Sequence, residues 1–516
     1  MNKAITKILL ICIIAIGWIG CKKRVPMDLS QSNLIPIPNE IIADGYSFEL
    51  INSSRIIITS PSLRNNAILL QKQIHPATGF ALPIVEQNKN KDGDIVLSLS
   101  DKITNKEGYQ LKITENNIHI IGKTSSGVFY GIQTLRQLLP PAIEKKIIQN
   151  IEWRIPTGTI NDAPRYIYRG AMLDVARHFF TVKEVKEYID YLATYKMNYF
   201  HIHLTDDQGW RIEIKSWPNL TKIGGQTEVG GTPGGYYTQE QYKDIVKYAA
   251  LRNITVVPEF DIPGHIHAAL VSYKELNPNN EKKEHYTGTK VGFSTLTINK
   301  DITYKFVDDV IGEIAAITPG EYFHIGGDET HVTSKEDYKY FIKRAQKIVT
   351  SHNKKMIGWA DIAEADISPN TIAQFWKVET HSAKLAIEKK AKLLMSPAAK
   401  AYMDIQYDSI CPLGLHWAGY TEVDDAYQWD PDTFLPNINK DDIIGIEAPL
   451  WSETMKSMDD VQYMIFPRLL GYAEIGWSTK GQQKWESYKH RLAAQQERFE
   501  AMELNYYASP KVPWKD

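Results

Sequence analysis

The sequence predicts an α/β protein, a (β/α)8 TIM barrel preceded by a small α+β domain, on three observations. After Asn161-Asp162-Ala163-Pro164, short apolar runs alternate with amphipathic stretches about eight times, the repeat of a closed parallel barrel. The polar residues Asp206-Asp207-Gln208, Asp261, Asp328-Glu329 and Trp376 each stand just after an apolar run. In a barrel that position is the C-terminal rim, where loops build active sites. The alternative, a doubly wound sheet, fits less well because no Gly-rich phosphate turn follows the first strand.

With 516 residues, the chain is too long for one simple core. Residues 1–21 read as a signal peptide: Lys3 and Lys7 precede the apolar run 8–16, which is too short to span a bilayer. Gly20 before Cys21 resembles a lipoprotein cleavage box, although Trp18 stands where Leu is usual. The expected location is therefore outside the cytoplasm, lipid-anchored to the cell envelope (periplasmic or outer-membrane), or otherwise periplasmic or secreted. Acyl chains on Cys21 would be the only membrane contact.

Residues 22–45, rich in Pro and Asn, read as a linker. The α+β domain is expected over 46–160, with strands at 55–58 and 94–99 and a hairpin over 108–123. Ser125 starts a helix that stops at Pro140-Pro141. This domain carries no cluster of catalytic residue types and reads as a scaffold. The catalytic barrel with C-terminal helices takes 161–516. Its strands are expected at 169–175, 199–204, 255–260, 322–325, 356–359, 371–376, 392–395 and 443–447, with helices at 182–195, 239–252, 302–316, 334–351 and 381–389. The unit between the last two strands is the weakest, because 402–441 is mostly loop.

Lys+Arg 59 against Asp+Glu 61 gives no basic surface for nucleic acid. The 12 Trp and 28 Tyr suit either a large core or sugar faces, since pyranose C–H groups pack on rings with polar edges. Only Cys12, Cys21 and Cys411 occur, and no Cys/His cluster has zinc spacing, so neither a disulfide framework, a metal site nor another cofactor is expected.

The strongest local signal is His324-Ile325-Gly326-Gly327-Asp328-Glu329. The glycines permit close backbone approach or unusual φ, and the two acids follow at the end of a barrel strand. Glycosidic bond cleavage needs an acid for the leaving oxygen and a group that meets positive charge at the anomeric carbon. Two carboxylates in different environments provide such a pair.

Five segments together resemble glycoside hydrolase family 20, the β-N-acetylhexosaminidases: RGAMLDVARHF (169–179), HIHLTDDQGWR (201–211), PEFDIPGH (258–265), the acidic motif at 324–329 and EAPLWSE (447–453). They occur in the family's order, the likeness spans about 165–480, and the domain before them resembles the family's N-terminal module. The resemblance implies exo-acting, retaining removal of terminal, non-reducing GlcNAc or GalNAc by substrate-assisted catalysis. Glu329 then corresponds to the acid/base and Asp328 to the residue that steers the substrate's 2-acetamido group, the nucleophile that closes to an oxazolinium ion. Tyr402 corresponds to the donor to the acetamido oxygen, and Trp359, Trp376 and Trp451 to the walls of its pocket. Arg169, Asp404 and Glu453 correspond to groups on the sugar hydroxyls, and Trp417 to a platform for the next sugar. Asp206 and His265 correspond to a relay behind the acid, with Asp206 chosen over Asp207. His267 and Asp174 carry no separable role, and Asp361 and Glu364 read as solvated helix-start acids.

Two other readings compete: a hydrolase of the same family that releases a disaccharide, and a non-catalytic glycan-binding lipoprotein. The sequence leaves open the preferred epimer, the natural glycan and its linkage, the membrane face and the oligomeric state.

Overall fold

In a computed structural model the described residues are 25–87, 89–377 and 379–515. The leader and Cys21 lie outside them. The first domain is a seven-stranded mixed sheet made of β1 (Glu40–Leu50), β2 (Ile56–Ile58), β3 (Ile84–Glu86), β4 (Ile95–Leu99), β5 (Tyr109–Ile113), β6 (Ile118–Gly122) and β7 (Trp153–Asp162), ordered β1-β7-β5-β6-β4-β2-β3. Helices Arg64–Thr78 and Ser125–Leu138 contact its strands and each other. The β5–β6 hairpin and the second helix match expectation; β1, β7 and the first helix add to it.

The segment expected as a linker is folded. Leu29, Leu34 and Ile35 are buried, and β1 begins at Glu40. Ile35 exchanges two hydrogen bonds with the Gln137 side chain, at 3.1 and 2.7 Å, while Arg491 donates to the Leu34 carbonyl at 2.8 Å. Proline and asparagine there mark an extended arm whose few apolar side chains dock, a pattern that composition alone reads as a linker.

The second domain is a closed parallel barrel of β8 (Tyr168–Asp174), β9 (Tyr199–His203), β10 (Thr255–Glu259), β11 (Tyr322–His324), β12 (Lys355–Trp359), β13 (Ile372–Phe375), β14 (Lys392–Met395) and β15 (Ile443–Ala448), with β15 closing onto β8. The eight strands fall where the apolar runs predict them, and between β14 and β15 only short helical turns intervene. Helix Val182–Thr194 shows why the outer layer forms. Thr181 and Glu184 make a capping box at its start, and Val185, Tyr188, Ile189 and Leu192 put one apolar stripe against the barrel. Each such side chain contributes about 1.5–3 kcal/mol on burial.

The N-terminal end of the barrel is plugged by Tyr168, Val257, Tyr322, Ile357, Ile372 and Leu394. Further along the axis the lining turns polar: His201, His203, Glu259, His324, Gln374 and Glu447 are all buried. Where the first domain meets that N-terminal end, Lys196 pairs with Asp162 at 3.1 Å and Trp477 donates to the same carboxylate at 2.9 Å.

Candidate active site

The acidic motif follows β11. Gly326 and Gly327 have φ of 65° and 97°, and a Cβ on Gly326 would lie 1.7 Å from Asp261 Oδ1. Only glycine permits this approach, in which Asp261 accepts from the Gly327 amide at 3.1 Å. Glu329 itself has φ 44° and His265 has φ 50°, both in the left-handed region that costs a non-glycine residue energy. The strain sits on the two residues that meet: His265 Nε2 lies 3.5 Å from Glu329 Oε2 and 3.7 Å from Asp328 Oδ2.

Behind His265, its Nδ1 lies 3.1 Å from Asp206 Oδ1, and Arg177 reaches Asp206 Oδ2 at 2.8 Å. Asp207 faces elsewhere, accepting from the His267 amide at 3.0 Å and from Ser294. It fastens the loop before Ser294, whereas Asp206 faces the imidazole. Burial alone would raise Asp206, but the charges of Arg177 and His265 outweigh it and hold the carboxyl well below the usual range. Burial works against the His265 cation, yet Asp206, Asp328 and Asp261 raise its pKa well above that of a free imidazole.

The adjacent acids are thereby split. Burial pushes Asp328 up to about 7, with His265 pulling against it and Glu329 adding to it. At Glu329 burial acts upward too, but the His265 contact and charge leave it below the ordinary value. Near neutral pH Asp328 is thus partly protonated, while Glu329 gives up its proton more readily.

Beside Asp328 a small apolar cluster joins Met172, Trp359, Ala398, Tyr402, Ile405 and Trp451, with Trp376 packed against it. Trp359 and Trp451 lie 5.6 Å apart and Tyr402 6.5 Å from Trp359. Each indole is pinned by a carboxylate or a ring. Trp359 donates to Glu259 at 3.0 Å, Trp376 to Asp361 at 3.0 Å, and Trp451 meets His203 edge to face at 4.9 Å. Burial raises the Tyr402 phenol well above its ordinary value, so it stays a donor. Asp328 Oδ1 and Asp404 Oδ2 are buried acceptors without a hydrogen-bond partner among the described residues. Burial raises Asp404 and Glu453, the first helped by the Glu453 charge and the second opposed by Arg177. Trp417 stands at the rim, 55% exposed, 5.9 Å from Tyr402 and 6.0 Å from Trp376.

Arg169 is not part of this assembly. It is the second residue of β8, fully buried, and its guanidinium pairs with Glu107 at 3.0 Å and donates to the Lys196 and Tyr166 carbonyls. It faces Tyr130 and Trp477 at the junction with the first domain. The arginine at the rim is Arg177, over the Trp451 ring at 4.8 Å and fixed by Asp174 at 3.3 Å. Asp174 also accepts from the backbone of Ala176, Arg177 and Ser452, so its work is to hold this turn. Asp361 likewise differs from the solvated acid expected. It is bonded to Trp376 and, at 2.5 Å, to Lys377. The signal for Arg177 was position, since it follows β8 where Arg169 begins it.

Comparison with known proteins shows the family. The pattern for the glycosyl hydrolase family 20 catalytic domain matches residues 166–480, and that for domain 2 of the same family matches 31–163. A β-N-acetylhexosaminidase of Cellulomonas fimi is 36% identical over 485 residues, 93% of this chain and 97% of the relative. The solved family 20 β-N-acetylhexosaminidase of Streptomyces coelicolor A3(2) superposes with a TM-score of 0.92 at 46% identity, covering 96% of this chain and 100% of the other. An exo β-N-acetylglucosaminidase of Vibrio harveyi, solved with N-acetylglucosamine, gives 0.82 at 30% identity over 96% and 81%. The chain belongs to glycosyl hydrolase family 20, the β-hexosaminidases, and is a glycoside hydrolase.

Proposed function

We propose that the protein is an exo-acting, retaining β-N-acetylhexosaminidase that removes terminal GlcNAc or GalNAc by substrate-assisted catalysis. The observation that carries this reading is the cage formed by Trp359, Trp376, Trp451 and Tyr402 beside Asp328. It matches a secondary amide group by group: Asp328 Oδ1 accepts the N–H, the Tyr402 hydroxyl donates to the carbonyl, and the indoles cover the methyl. A sugar's 2-acetamido group held this way has its oxygen near the anomeric carbon, and such positioning is worth roughly 7–11 kcal/mol at best.

The proton balance follows from His265. An amide N–H at Asp328 favours the ionised carboxylate, so its proton leaves to His265 Nε2 while the imidazolium passes one to Glu329. Glu329 gives that proton to the glycosidic oxygen as the C–O bond breaks and the acetamido oxygen bonds to the anomeric carbon. Ionised Asp328 faces the oxazolinium nitrogen. Glu329 then takes a proton from water, which attacks the same carbon from the side the aglycone left as the carbon's bond to the acetamido oxygen breaks and the acetamido group is restored, so configuration is retained. Arg177 takes the place that the motifs gave to Arg169, binding ring hydroxyls with Asp404 and Glu453; Trp417 carries the next sugar.

The test is a panel of aryl β-N-acetylglucosaminide, N-acetylgalactosaminide, glucoside and one disaccharide, with wild type and Glu329→Gln. The expected outcome is cleavage of the two acetamido monosaccharides, none of the glucoside, and a kcat lower by about 10²–10⁴ in the variant. Efficient glucoside cleavage, or release of the disaccharide alone, refutes the reading.

A further inference from the structure

A relay behind Glu329 that ended at Asp206 would leave the barrel interior below it to aliphatic side chains. Instead, hydrogen bonds and ion pairs continue down the axis. Asp206 Oδ2 lies 2.8 Å from His203 Nε2, and His203 Nδ1 is tightly bonded to Glu259 Oε2. Glu259 Oε2 also lies 3.0 Å from His201 Nε2, and His201 Nδ1 lies 2.7 Å from Glu447 Oε1. The Tyr168 hydroxyl donates to Glu447 Oε2 at 2.7 Å, and Tyr168 stacks on Tyr199 at 4.0 Å. The column runs from the acid to the aromatic plug at the opposite end.

Its chemistry is fixed by counting protons. His203 is hydrogen-bonded to a carboxylate at each ring nitrogen, so only the imidazolium satisfies both sides, whereas His201 is bonded to Glu447 through Nδ1 and meets the Glu259 charge at 3.0 Å from Nε2. His324, which also touches Glu259 at 3.0 Å, accepts the Gly326 amide on the same Nδ1 and is the neutral member. Burial and a neighbouring cation keep it below its ordinary pKa despite Glu259. His201 is raised to about 9, Glu447 and Glu259 outweighing burial, and His203 stands well above the usual imidazole value. The imidazolium ions and Arg177 thus alternate with Asp174, Asp206, Glu259 and Glu447, with Glu329 at the upper end. Hidden charges of this kind cost several kcal/mol each unless paired, so the column persists against the easier solution of an aliphatic core.

We infer that His203 and Glu259 are positioning residues for Glu329: with His201 and Glu447 they form an axial column of alternating cations and anions that holds Asp206 ionised and sets how tightly His265 and Glu329 bind protons. The inference rests on the reading of Glu329 as the acid. His203 is faced by Asp206 from its own side, Glu259 and Asp261 from β10 and the loop after it, Asp174 from β8, and the Trp451 edge after β15. Glu329 is faced by His265, Arg177, His331 and Asp328. Removing the His203 cation makes the field at His265 and Glu329 less positive, so both bind protons more tightly.

The full-length His203→Gln protein, which keeps a side-chain donor toward Asp206, is assayed across pH with an aryl β-N-acetylglucosaminide. The basic limb of kcat/KM is expected to move up by about half to one pH unit. A lower kcat on an unshifted profile, or a shift to lower pH, overturns the inference. If that variant fails to fold, imidazole 15N NMR of the wild type decides. At least three of the 14 histidines should keep both nitrogens protonated through pH 8; neutral rings there overturn the column. Glu329→Gln run alongside separates the two claims. Retained activity refutes the acid itself, whereas lost activity with an unshifted His203→Gln profile refutes only the column.

Discussion

Arg169 and Arg177 stand on the same stretch of chain, one near the start of β8 and the other in the turn beyond its end, and both are buried against carboxylates and indoles. Arg169 meets Glu107, Tyr130 and Trp477 and fastens the first domain to the barrel. Arg177 meets Asp174, Asp206 and Trp451 within reach of the acid pair. The same ingredients serve cohesion at one end and chemistry at the other, because in a parallel barrel every strand delivers its last residue to the same rim. What separates the ends is satisfaction. Arg169 has carbonyl and carboxylate partners, while at the rim the buried acceptors Asp328 Oδ1 and Asp404 Oδ2 have none among the described residues.

Exchanging each arginine for methionine breaks or upholds that contrast most strongly. Arg169→Met is expected to lose about 3 kcal/mol of stability in urea unfolding, with kcat/KM of the folded enzyme unchanged. Arg177→Met is expected to lower kcat/KM about 10- to 100-fold through lost charged hydrogen bonds to the sugar. Full activity in the second, or an inactive but fully stable first, dissolves the distinction.

A smaller effect separates the ends by pH. Asp328 is raised from 3.8 to about 7, so its burial costs nothing below the unfolded pKa. The cost grows as pH rises through that value and levels off above about 7. Asp328→Asn is therefore expected to be more stable than wild type by about 2 kcal/mol at pH 8 and equal to it near pH 4. Equal melting at both pH values speaks against a protonated Asp328. The smallest effect belongs to the exposed platform. Trp417→Ala should raise KM for a disaccharide several-fold and leave that for an aryl monosaccharide within about twofold, since one ring contact is worth about 1 kcal/mol. A uniform loss on both substrates moves Trp417 into the inner pocket.

The barrel was readable because its strands are short apolar runs and its rim residues follow them directly. Gly326-Gly327 announced a close approach, and Asp261 is what comes close. Arg169 opens its motif but also begins its strand, at the end away from the rim, so position along β8 favours Arg177. The polar column shows in sequence only as His201-Ile202-His203, an alternation that puts two imidazoles on one face without saying whether that face is inward. Residues 25–45 hide their fold for a different reason: their partners, Gln137 and Arg491, are more than a hundred positions away.

That arm also sets the order in which the molecule can be completed. Ile37 donates to Glu474 at 2.9 Å, Ser478 to the Ile37 carbonyl, Gln482 to Pro38, and Gln495 to Asn33. The earliest described residues are thus tied down by side chains near the other terminus, and β15 must arrive before β8 has its second neighbour. During synthesis from the amino end, neither seam can form until most of the chain has emerged. The long-range closures come last, and a nascent chain keeps an open barrel edge until then.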